Sequence, residues 1–131
     1  MDETILIGLE TTSSGWAAIG FESTSRMKDA DILFGGAENG VPYMFDMFST
    51  GPAGPHPPDT ELGGTSDITE YNAKEQAKGT VVEFSRKTDT GDAYDKVLTP
   101  GAEITIIWAQ ANSDEPLIIH NIGKGSEKIV L

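Results

Sequence analysis

The chain has 131 residues, 37% of them hydrophobic, with 21 acidic residues against nine basic ones and no cysteine. That is long enough for one domain with a buried core. The net charge of -12 argues against nucleic-acid and anionic-membrane partners, because both need a cationic stripe. The missing cysteine excludes disulfides, thiolate metal sites, iron–sulfur clusters and CxxCH haem attachment.

Alternation starts almost at once: Ile5, Ile7 and Leu9 stand against Leu6, Gly8 and Glu10, a first strand apolar on one face. A turn, TTSSG, precedes residues 16–21 (WAAIGF), which are apolar on both faces and so predict a central strand. A polar turn from Glu22 carries Arg26, Met27 and Lys28. A third strand is expected over 31–36, an Asn39-Gly40 hairpin turn within AENG, and a fourth strand over Val41–Phe48. In that strand Val41, Tyr43, Phe45 and Met47 share one face, and Asp46 lies on the other between Met44 and Phe48. Residues 49–66 hold four Pro and four Gly. They can form neither helix nor ladder strand, and they read as a surface excursion.

Beyond it, 67–76 is a polar edge-like strand, and Gly79–Lys87 alternates clearly. TDTGDAYDK is an acidic turn, and 103–111 is the clearest strand of all. Pro116 precedes the apolar run 117–119, His120 ends it, and 129–131 can close the sheet. No stretch of ten or more residues carries a 3.6-residue apolar stripe. The pattern therefore predicts seven to nine short strands in one domain over 1–131, an antiparallel immunoglobulin-like β-sandwich. No apolar run is long enough to span a membrane, and the first residues, with no basic stretch leading into an apolar one, do not read as a signal peptide.

Met27 is flanked by two cations and lies outside any apolar periodicity, an odd place for a methionine whose task is packing. Its thioether is also a soft metal ligand. Paired with His120 at a distant strand end, it makes a candidate haem-ligating pair. Taken singly, each has a plainer reading, Met27 as a gap-filler and His120 as a hydrogen-bonded surface side chain. Met44 and Met47 sit in a strand and should pack. His56, in GPHPP, reads as a loop residue and is the other histidine available as a ligand. Trp16 and Trp108 read as core anchors, and Arg26, Lys28 and Lys124 as exposed cations beside the candidate ligands. Asp89, Asp92 and Asp95 suggest calcium but lack the EF-hand pattern, so a polar turn is expected. The chain holds no GxSxG, P-loop or HExxH motif, and none of its many acids stands in an apolar setting, so no enzyme is expected.

WAAIGF followed by Met27 in RMKDADI resembles the start of DOMON domains. EFSRKTDTGDAYDKVLTPG followed by IIWAQA resembles that family's Arg…Thr-Gly-Asp…Asp loop and its Trp-Ala strand. His120 with Lys124-Gly125 resembles its His near a basic-Gly pair, with one extra residue of spacing and Lys in place of Arg. The resemblance implies a non-covalent haem b domain similar to the cytochrome domain of cellobiose dehydrogenase. Met27 and His120 would be the axial ligands, with Lys124 at the haem edge, and Arg26, Lys28 and Lys124, standing beside those ligands, become candidates to pair with the haem propionates. It also implies electron transfer with a redox partner protein or domain that offers a basic docking surface, and an extracytoplasmic location. Some members of the family lack haem, so a carbohydrate-binding or protein-interaction module is the alternative.

Overall fold

A computed structural model describes residues 3–115 and 123–131. It contains eight strands: β1 (Thr4–Glu10), β2 (Ala17–Phe21), β3 (Asp31–Glu38), β4 (Val41–Phe48), β5 (Ile68–Gln76), β6 (Gly79–Lys87), β7 (Glu103–Gln110) and β8 (Gly123–Val130). The one helical element among the described residues is a short 3-10 turn, Asp59–Leu62. Strands β1-β6-β5 form one sheet and β4-β3-β2-β7-β8 the other, with antiparallel pairing throughout. The predicted all-β antiparallel sandwich is what forms.

The alternation in each strand decides what lies between the sheets. Ala17, Ile19 and Phe21 of β2 join Leu33, Met44, Val82, Phe84, Leu98 and Ile104 there, with Ile5, Ile7 and Leu9 packed against them. Burying a side chain such as Leu33 or Phe21 contributes about 1.5–3 kcal/mol. Strand β2 is central in its sheet, as its two apolar faces anticipated, and its other face meets a second cluster around Trp16, Ile32, Phe34 and Met47. Both Met44 and Met47 pack, as expected.

Turns set the registers. Asn39 and Gly40 take φ values of 52° and 78°, which makes a two-residue hairpin turn matched to the sheet twist. Strand β3 therefore runs on to Glu38, past the expected boundary. TTSSG carries the chain from one sheet to the other. A Cβ on Gly15 would fall 2.1 Å from the Ala111 carbonyl oxygen, so only glycine allows that close crossing.

Strand β8 pairs with β7 from Gly123, six residues before the apolar end that had marked it. Its sequence, GKGSEKIV, lies on a sheet edge where neither face needs to be apolar, so periodicity is faint. The expected strand over 117–119, and His120 with it, lie outside the described residues.

Candidate functional site

The outer face of the five-stranded sheet is hollow at its centre because of side-chain size. Register aligns Phe45, Phe34, Ala18, Ala109 and Lys124 in one cross-strand row, and Met47, Ile32, Gly20, Ile107 and Ser126 in another. Ala18, Gly20 and Ala109 form a low floor between taller neighbours. A Cβ on Gly20 would meet Ile107 Cγ1 at 2.7 Å and Ile32 Cγ1 at 3.3 Å. Over this floor lies a cavity of about 460 Å³, within the range of roughly 300–1,000 Å³ that small-molecule sites occupy. Its lining is mostly apolar. On one side Trp16 and Phe34 lie with ring centroids 4.6 Å apart, the start of an aromatic run through Tyr43 and Phe45.

Two loops close the cavity, and both extend the β3–β4 hairpin. Met27 N–H donates to the Pro52 carbonyl at 3.2 Å, Asp29 N–H to Ser49 at 2.8 Å, and Ser49 N–H to Ala30 at 3.1 Å. A Lys28 N–H to Ser25 carbonyl bond of 2.9 Å tightens the turn that holds Met27. Arg26 and Asp29, on either side, sit in the left-handed region at φ 54° and 62°. For residues with a Cβ that conformation costs on the order of 1–3 kcal/mol each, and such strain tends to collect at functional loops.

The Pro/Gly-rich segment lies at the surface, as expected, but it also folds back on the end of β4. Proline donates nothing to a ladder but keeps its carbonyl. Phe48 N–H bonds Pro57 at 3.1 Å and Thr50 N–H bonds Pro55 at 3.0 Å, so the loop folds back along the end of β4 as a row of acceptors. Pro52, Ala53 and His56 thereby become cavity wall. His56 Nδ1 lies 3.3 Å from Met47 Sδ. Nothing in the pattern GPHPP signals this role, which depends on the loop's return path.

Of the predicted site residues, Arg26, Met27 and Lys124 line this one cavity. Arg26 and Lys124 are therefore not merely exposed turn cations, while Lys28 is absent from the lining. Trp16 is buried as expected. Trp108 is 40% exposed and is not the core anchor foreseen. The smaller sheet packs over β2, β3 and β4 and stops short of this end of β7. The ring instead covers Gly125, where a Cβ would come within 2.4 Å of it.

The expectation that no acid has an apolar setting also fails. Asp31, Asp46 and Asp59 are fully or almost fully buried, away from the cavity. Asp31 opens a strand whose next residues are all core, and Asp46 points inward with Met44, as its place in the alternation requires. Arg86, equally buried, donates to Asp31 Oδ2 at 2.6 Å and to the Lys96 carbonyl. Burial pushes the Asp31 carboxyl up, and the Arg86 guanidinium opposes that shift.

Comparison with known proteins agrees with this architecture. The DOMON domain family profile matches residues 1–111. DBH-like monooxygenase protein 1 of Mus musculus is 34% identical over 112 residues, 86% of this chain and 17% of that protein. Its Homo sapiens counterpart is 30% identical over 110 residues, 84% of this chain and again 17% of the protein. The chain thus spans about a sixth of the length of these curated relatives. Among solved structures, the cytochrome domain of Myriococcum thermophilum cellobiose dehydrogenase superposes with a TM-score of 0.64 at 16% identity, over 96% of this chain and 64% of that one. At that identity the likeness is one of fold. Profile, relatives and fold agree, and the chain belongs to the DOMON domain family.

Proposed function

We propose that this chain is a haem b-binding electron-transfer domain, with Met27 and His120 as axial ligands and Arg26 and Lys124 as partners for the propionates. One observation carries the reading. A thioether and two cations, drawn from opposite ends of the chain, line a single apolar cavity of about 460 Å³. The donor set fits haem: a soft sulfur for iron, apolar walls for the macrocycle, cations for its carboxylates. The buried Trp16 Nε1–H, which has no hydrogen-bond partner among the described residues, offers one more donor to an anionic group. His120 stands four positions before the cavity-lining Lys124 in the sequence.

Met27 and His120 would hold the iron, and haem b bound there would supply a one-electron couple. The chain's own residues then have separate tasks. The Ser25–Lys28 turn and the Pro52 carbonyl fix the Met27 backbone at the cavity wall, so the sulfur is offered from a held main chain. Ile32, Phe34 and Ile107 exclude water, and Arg26 and Lys124 fix orientation through charge. The net charge of -12 favours a redox partner with a basic docking surface. The family resemblance favours an extracytoplasmic setting. No helix among the described residues is long and apolar enough to cross a membrane.

The half-exposed Trp108 favours a second reading, a haem-free module that stacks a sugar ring. Haemin titration separates the two. Haem binding should give a sharp Soret band and resolved α and β bands on reduction. His120→Ala should lose haem. Met27→Ala should keep it, in a high-spin form of lower potential. Protein that ignores haemin refutes the proposal, and an unchanged reduced spectrum in Met27→Ala refutes the ligand assignment.

A further inference from the structure

The cavity wall carries a second group of donors that the haem reading does not use. His56 Nδ1 lies 3.3 Å from Met47 Sδ. Met47 stands on the outer face of β4, in the same cross-strand row as Ile32 and Gly20 of the cavity lining. Met27 packs against the buried cluster that contains Met47, and it lines the cavity together with His56. One imidazole and two thioethers are thus gathered from β4 and from the two loops that close the cavity.

The nitrogen–sulfur contact carries the argument. First-row metal ions bind nitrogen at about 2.0 Å and sulfur at about 2.3 Å. With the donors 3.3 Å apart, one ion bound to both would hold them at an angle of about 100°. That angle suits three or four ligands and not a linear pair, so a further donor is required. Met27 is the soft donor that the same cavity wall supplies. The tautomer of His56 decides what the contact does. With the proton on Nδ1 the ring donates to the sulfur; with the proton on Nε2 the Nδ1 lone pair can bind an ion beside it.

We propose that His56 Nδ1, Met47 Sδ and Met27 Sδ bind one copper(I) ion. Thioethers are soft ligands, and a set of two with one imidazole selects copper(I) over harder ions. Charge points the same way. Arg26 and Lys124 border the cavity, and none of the described residues lining it is a carboxylate. A divalent ion would meet that repulsion doubled, with no anionic ligand to offset it, whereas copper(I) carries a single charge. The apolar side chains of Ile32, Phe34 and Ile107 add a poorly hydrated setting that again favours the lower charge. Met27 is shared with the proposed iron ligation, so copper(I) and haem should exclude each other here. The copper assignment does not itself depend on haem binding.

The test uses the whole chain, free of haem. Copper(I), made from copper sulfate with ascorbate and buffered by bicinchoninate, should pass to the protein until about one ion is bound per chain. X-ray absorption at the copper edge should show both sulfur and nitrogen as neighbours. His56→Ala, Met47→Leu and Met27→Leu should each weaken binding by about tenfold or more. Leucine matches methionine in volume, so both methionine variants should keep the β-type circular dichroism of the parent. Met44→Leu, on the opposite face of β4 within the inter-sheet core, should bind as wild type does. Unchanged affinity in both His56→Ala and Met47→Leu would make the 3.3 Å contact a hydrogen bond alone and overturn the proposal. Loss of copper in His120→Ala with His56→Ala unaffected would overturn it too, and zinc bound as tightly as copper(I) would overturn the choice of ion. Protein that takes up haemin but no copper leaves the haem reading standing and refutes this one; protein that takes up copper but ignores haemin does the reverse.

Discussion

Arg86→Met is the substitution whose cost can be worked out most directly. Arg86 has a 1% exposed side chain, donates to Asp31 at 2.6 Å and to the Lys96 carbonyl, and lies 5.8 Å above the centroid of the Phe21 ring. Methionine matches the aliphatic stem but leaves Asp31 with only the Lys96 amide, 2.9 Å away, as a donor. Removing one partner of a buried pair costs about 3–5 kcal/mol, and the cation–π contact adds roughly 0.5–2 kcal/mol. Taking about 4 kcal/mol overall, a domain of this size should melt about 15 °C lower. Urea denaturation and scanning calorimetry measure both. Asp31→Asn keeps an acceptor for the Lys96 amide but removes the charge. The double variant should therefore be more stable than the sum of the singles implies, by about 1–3 kcal/mol of coupling. A loss below about 1 kcal/mol in Arg86→Met, or strictly additive singles, would refute the view that this pair stabilises the interior.

Two further outcomes follow from the outer face of the large sheet. Gly20→Val should cost about 1–3 kcal/mol by overpacking against Ile107 and Ile32 and should lower haem affinity at least tenfold while the β-type circular dichroism persists; unchanged affinity would mean that this floor is not the binding surface. Burial and the 2.8 Å bond to Asp114 push the Tyr43 phenol upward. Its folded value then exceeds its unfolded value of about 10, so the folded state holds that proton longer and stability falls as pH rises above 10. Tyr43→Phe should flatten that alkaline loss, read from unfolding curves at successive pH values.

Wherever burial was one-sided, the strands could be read directly. Ile5, Ile7 and Leu9, or Val82 and Phe84, have an apolar partner face and therefore alternate. Strand β8 escaped that logic because an edge strand is ordered by backbone pairing, which leaves no mark on side chains. Met27 and its flanking cations, Arg26 among them, stood out as a local anomaly, and Lys124 followed by resemblance. His56 and Pro52 reach the cavity through the return of a loop, a long-range property that spacing does not encode. The buried acids were hidden for a different reason. Asp46 alternates inward like any core residue, but whether an inward aspartate is tolerated depends on what other chain segments bring to it.

The proline row behind the cavity also determines which atoms can report on it. Prolines have no amide hydrogen, so deuterium uptake is blind to Pro52, Pro55 and Pro57 themselves. Their carbonyls hold the amide hydrogens of Met27, Thr50 and Phe48. Three single-site exchange rates, on residues that keep an amide hydrogen, therefore time the opening of that wall. The Met27 amide belongs to the cavity-lining methionine itself, so its rate clocks wall and sulfur together.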